Sequence, residues 1–209
     1  MSGFTLTISK AELEDRLGVA IFNKDGQPRK FVSSIVEAKN KRAFSEMMED
    51  FENDDITREV EGGPTAPNYS NTLGGYGNLF SFIGFNKDDE PINNLRELLK
   101  STISFKSKYI GYARKQVKFE IEMPNKDAIF SPEKTPMPEW NPGKSWIYAI
   151  EHGISGLNYY LHHSDSRAMK TSRSGTGIQI KSKLIGGRFS NRSYITALLN
   201  KYREYLRKS

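Results

Sequence analysis

Residues 91–124 read PINNLRELLKSTISFKSKYIGYARKQVKFEIEMP, a helix followed by two strands. Pro91 suits a first helical position, where its missing N–H removes no bond. Ile92, Leu95, Leu98 and Leu99 then recur on one helical face. After Ser101 the period shortens to two. Ile103, Phe105, Ser107 and Tyr109 alternate with polar residues, and Val117, Phe119, Ile121 and Met123 alternate with Lys118, Glu120 and Glu122. This pattern predicts adjacent antiparallel strands with one packed face and one wet face, ended by Pro124. A small antiparallel sheet with flanking helices is an α+β fold.

Working outward toward the N-terminus, Leu79 to Phe85 is the most apolar run. It reads as an apolar strand, buried or subunit-contacting, approached through Gly74, Gly75 and Gly77. The order of glycines before strand is wrong for a nucleotide-binding loop, which needs strand, loop and helix. Residues 62–78 form a loop longer than ordinary connections, hence functional or mobile. Arg29 to Glu61 is helical, with Phe31, Ile35, Ala38, Phe44, Met47, Met48 and Phe51 as an imperfect apolar stripe. Ser9 and Glu12 make a capping box for a short helix stopped by Gly18. Val19 to Phe22 is a strand or a buried connector.

Toward the C-terminus, Pro132, Pro136, Pro138 and Pro142 stiffen an extended loop around Trp140. Ser145 to His163 divides into two short elements at His152–Gly153. Gly177 to Leu184 alternates as a strand. Ser193 caps a final helix with Ile195, Leu198, Leu199, Tyr202, Tyr205 and Leu206 inward and Lys201, Arg203, Arg207 and Lys208 outward. The expectation is one α+β domain over 1–209: a mainly helical 1–61, the 62–78 loop, and a sheet-containing 79–209.

The 209 residues contain no cysteine, which excludes disulfides, thiolate metal sites and thiol nucleophiles. No signal-peptide pattern and no long apolar span occur, so a soluble chain made in a reducing cytoplasm is expected. Charge is uneven. From Ser166 to Ser209 there are eleven Lys or Arg and one acid, Glu204, whereas residues 1–165 hold 20 basic and 24 acidic side chains. A basic surface of this kind meets a polyanion or an acidic protein.

Catalytic constellations are hard to assemble. The acidic run Glu49, Asp50, Glu52, Asp54 and Asp55 lacks a histidine or calcium-loop spacing and reads as a solvated helix end. His162, His163 and Asp165 fall short of a zinc shell, and His152 stands apart. Ser172 to Gly177 lacks the nucleophile-elbow pattern. Thr171 to Gly177 instead suits an anion nest beside Arg167, Lys170 and Arg173. Glu120, Glu122 and Glu151 are the acids a metal-dependent nuclease would use. Pro136–Met137–Pro138 lacks the spacing of an SH3 ligand. No enzyme activity, cofactor or metal is expected.

Three segments carry a family likeness. Leu95-Arg96 through Ser101-Thr102-Ile103 follows a helix, Tyr148-Ala149-Ile150-Glu151-His152-Gly153 lies in the middle, and Arg188-Phe189-Ser190-Asn191-Arg192-Ser193-Tyr194-Ile195 leads into the last helix. Over roughly residues 92–206 the chain resembles the tail-completion or neck proteins of tailed bacteriophages. The resemblance implies a non-enzymatic virion protein forming a ring at the head–tail junction, made in the host cytoplasm. Its implied partners are copies of itself, portal or connector proteins, tail-tube or tail-terminator proteins, and packaged DNA through phosphates. It also implies a strand over Trp146–Ile150. On this reading Arg167, Lys170, Arg173, Lys181, Lys183, Arg188 and Arg192 face DNA or a neighbouring subunit, and Leu79, Phe80, Phe82, Phe85 and Trp140 contact subunits. The alternatives are a nucleic-acid-binding accessory protein using the basic C-terminal surface and a host-side interaction protein.

Overall fold

Strand pairing centres on a segment whose partner lies at the far end of the sequence. In the computed structural model, β1 (Gly3–Ser9) pairs antiparallel with β3 (Gln116–Glu122), and β2 (Ser107–Ala113) covers the other edge of β3. The structure describes residues 3–17, 20–24, 26–74, 77–138, 141, 143–153, 160–163, 177–180 and 189–208. The described helices are α1 (Lys10–Leu17), α2 (Lys30–Asn53), α3 (Asp55–Glu61), α4 (Leu79–Ile83), α5 (Pro91–Ser101), α6 (Lys126–Ile129), α7 (Trp146–His152) and α8 (Ile195–Lys208). A second hairpin joins β4 (Tyr160–His163) to β5 (Gly177–Ile180). The architecture is mixed α+β.

The chain forms two compact units. The first gathers residues 1–49, 102–125 and 198–209. Its sheet buries Leu6, Ile8, Val117, Phe119 and Ile121 on one face, as the alternation of β3 requires. β2 starts at Ser107, so Ile103 and Phe105 precede it. A bulge between Tyr109 and Gly111 shifts its register. Arg114 and Lys115 form the two-residue turn to β3 with φ of 52° and 61°. A β-carbon in that left-handed region costs about 1–2 kcal/mol per residue.

In α2 the buried stripe is Val32, Val36, Asn40, Ala43, Met47 and Phe51, one residue out of phase with Phe31 and Ile35 and two with Ala38. Asn40 hides the pattern, because a polar side chain occupies an inward position. It is satisfied there, donating to the Ser104 carbonyl at 3.3 Å and accepting from the Tyr202 hydroxyl.

The second unit comprises residues 50–101 and 126–197. α4 corrects the expectation of a strand at Leu79–Phe85. Asn78 caps it by accepting from the Ser81 amide at 2.9 Å, and Gly84 closes it with φ of 88°. α7 is likewise a helix where the family likeness implies a strand. The Ser145 hydroxyl caps it by accepting from the Tyr148 amide at 3.2 Å, and Gly153 ends it. Trp146 is buried edge-on to Phe85 with centroids 5.8 Å apart. The proline-rich segment is held where it is described: the Met137 amide donates to the Lys144 carbonyl at 2.7 Å, and the Trp146 amide to the Thr135 carbonyl at 3.0 Å.

Candidate functional site

In the second unit, two of the segments that carry the family likeness meet at the start of α8. The first amides of a helix have no internal partner and carry partial positive charge. Glu151, next to last in α7, supplies the missing acceptor. Its carboxylate accepts from the Tyr194 amide at 3.1 Å, the Thr196 amide at 2.7 Å and the Thr196 hydroxyl. The Arg192 amide donates to the Ile150 carbonyl at 3.3 Å. Gly153 has φ of 102°, and the Asn191 side chain lies 3.5 Å from where its β-carbon would be. The Glu–x–Gly spacing therefore joins a helix cap to a turn that disfavours side chains.

The lead-in to α8 is also pinned to the long loop. Phe189 stacks on Phe82 at 5.6 Å, the Ser190 amide donates to the Thr72 carbonyl at 2.8 Å, and the Arg192 guanidinium donates to the Ser70 carbonyl at 2.8 Å. Glu59, fully buried, holds the middle of that loop and the residue just after it. Its carboxylate accepts from the Ser70 amide and from the Leu79 amide, each at 2.7 Å. The Asn78 side-chain nitrogen donates to the carbonyls of Gly63, Pro64 and Ala66. Over the described residues, then, the 62–78 loop is internally tied.

Beneath it, the Thr57 and Tyr194 hydroxyls share a hydrogen at 2.6 Å, and burial pushes the Tyr194 hydroxyl well above its ordinary pKa. Arg96 reaches Glu52 at 2.7 Å and Glu61 at 2.6 Å, and its hydrogen bond holds the Glu52 carboxyl below the ordinary range. Each of these carboxylates is occupied by donors from the chain itself. Together these bonds form a structural joint around the start of α8.

The predicted site residues fall differently. Arg167, Lys170, Arg173, Lys181, Lys183, Arg188 and Trp140 lie outside the described residues. Leu79, Phe80, Phe82 and Phe85 are buried in the chain's own interior, at 5% exposure or less, so they do not offer a surface to a partner. Arg192 is exposed, but its guanidinium is engaged by the Ser70 carbonyl and lies 4.0 Å from Asp55. Glu120 and Glu122 share the wet face of β3, but Glu151 belongs to the second unit, where it serves as the α8 cap. His162 and His163 sit on β4, and His152 stacks on Tyr148 at 4.1 Å. Among the described residues no group of three His, Asp or Glu is placed to hold a metal, and no helix is long and apolar enough to cross a membrane.

No family model, curated protein or solved structure matches this chain.

Glu59, Asn78 and the capping role of Glu151 escaped the sequence reading. Glu59 sits beside Val60 and three residues after buried Ile56, which is the one local sign of an inward position. The units also redistribute charge. The first holds 17 basic and 10 acidic residues, a net +7, and the second holds 14 and 15, a net −1. The folded cations thus include many outside the C-terminal segment. A cavity of about 310 Å³ in the second unit is lined by Phe85, Asp89, Glu90, Pro136 and Met137. Its acids are engaged: Asp89 accepts from the Asn86 amide, and Glu90 from the Asn93 side chain.

Proposed function

We propose that this chain is a structural subunit of a phage head–tail junction, a neck or tail-completion ring component that joins the capsid connector to the tail without catalysing a reaction. The observation that carries this reading is the joint at α8. Segments 148–153 and 188–195, on which the likeness rests, are tied together by Glu151, Arg192 and the turn at Gly153. A subunit that transmits load between two assemblies needs the start of its terminal helix held in place, and part-buried capping and charge-assisted bonds do this. The open sheet adds support. Among the described residues β1 pairs on one side alone, which leaves a strand edge for a neighbour in a ring to cover.

The reading predicts that reversing charge at Arg173, Lys181, Lys183 and Arg188 lowers particle assembly or genome retention while the isolated chain stays folded. Particles with unchanged yield and DNA content would sink that assignment. A second reading, a nucleic-acid-binding accessory protein, is favoured by the net +7 of the first unit.

A further inference from the structure

We propose that the β2–β3 hairpin, with its Arg114–Lys115 tip, is a contact site for the phosphate backbone of double-stranded nucleic acid. From Leu98 to Phe119 the chain carries Lys100, Lys106, Lys108, Arg114, Lys115 and Lys118 and no acid. The last five lie on the hairpin or its approach, and none of them joins an ion pair among the described residues. Lys106, Lys108, Arg114 and Lys115 are exposed, and Lys118 is half-buried.

The tip is the informative part. A two-residue turn with both residues left-handed favours Asn-Gly, yet this chain has Arg114 and Lys115 there with φ of 52° and 61°. Holding two cations in strained backbone at an exposed tip points to a use for the charge. The edge itself is unsuited to another strand, since a bulge at Tyr109/Gly111 and lysines along it discourage pairing. Lys41, 5.9 Å above the Phe105 ring, extends the row onto α2.

The acids nearby are few. Glu120 stands opposite Lys108 in the ladder, and exposed Glu122 follows it on the same face of β3, toward Lys106. Glu12, Glu14 and Asp15 lie on α1, which begins where the Lys10 amide meets the Lys115 carbonyl, and Glu14 is 3.5 Å from the Lys10 ammonium. From Lys106 to the Arg114 tip the chain spans about 26 Å or less at strand rise. A duplex presents on the order of 15 phosphates over that length. A row of cations suits such a repeating polyanion better than one peptide side chain. The proposal uses none of the C-terminal cations and does not depend on the head–tail reading.

Fluorescence anisotropy of the full chain with a labelled DNA duplex of roughly 30 base pairs tests it. Five contacts predict a slope of log K against log salt of about −4.5, roughly a 500-fold loss between about 50 and 200 mM. R114N/K115G should reduce the slope to about −2.7 and raise the thermal midpoint, because the turn is relieved. That rise separates lost contact from misfolding. A slope unchanged in both R114N/K115G and K106Q/K108Q overturns the proposal, as does absence of binding at the lower salt. Polyglutamate competing as well as unlabelled duplex would also overturn it, in favour of an acidic protein partner.

Discussion

Glu59→Gln probes the joint at its most buried point. The substitution keeps the volume of a side chain with no exposure but leaves one oxygen to accept from two amides, Ser70 and Leu79. The new –NH2 must face one of those N–H groups, donor against donor. A hydrogen bond to a charged group contributes about 1.5–3 kcal/mol, and an orphaned buried donor costs about 1–3. These overlap, so a net loss of roughly 2–4 kcal/mol is expected. For a chain of this size, that lowers the thermal midpoint by about 4–16 °C. Glu59→Ala strips both bonds and should lose about 3–6 kcal/mol on the same basis.

Urea unfolding gives the stability, and limited proteolysis under native conditions reports where the chain opens. Cleavage should concentrate in residues 62–78 in the variant and not in the wild type. Glu61→Gln is the control: its partly exposed pair with Arg96 predicts a change within about 1 kcal/mol. If Glu59→Gln and Glu61→Gln are equally mild and neither changes the cleavage pattern, the reasoning about the buried carboxylate is wrong.

Asp54 caps α3 by accepting from the Ile56 amide at 2.8 Å, but burial raises its carboxyl pKa. A raised folded-state pKa gives stability that is present below the unfolded value and lost as pH rises through the folded one. Asp54→Asn should keep the cap and flatten that pH dependence, while Asp54→Ala should cost about 1 kcal/mol by urea unfolding. Glu52 has the opposite sign. Its carboxyl is held down by Arg96, so the contribution is present above the unfolded pKa and lost as pH falls through the folded one. In Arg96→Met, NMR titration should show the Glu52 carboxyl moving up toward its ordinary range. Gly153→Ala places a side chain at φ of 102° and should cost on the order of 1–3 kcal/mol in calorimetry. A neutral result would remove the turn from the joint.

Residues 91–124 made the sheet and α5 readable because one period gives way to another within a short stretch. α8 was readable because its inward residues repeat at helical spacing and five of the six are buried. β1 was not anticipated. Phe4-Thr5-Leu6-Thr7-Ile8 alternates, but its partner β3 begins over a hundred residues later, and a single edge strand without a nearby hairpin has little local signal. The α4 segment is rich in aromatics, which favour strands as side chains. Its helical state is decided by Asn78 and Gly84 at its ends. The joint was least legible, since Glu59 and Glu151 look like solvated acids in sequence. Their roles depend on amides 11 to 45 residues away.

The head–tail assignment itself is tested most directly by particles. Density-gradient separation of the native lysate, followed by peptide mass spectrometry of the particle band, measures whether the chain travels with tailed virions. The account predicts a constant low copy number per particle, on the order of one ring. Protein found free in the lysate and missing from the particle band would contradict it.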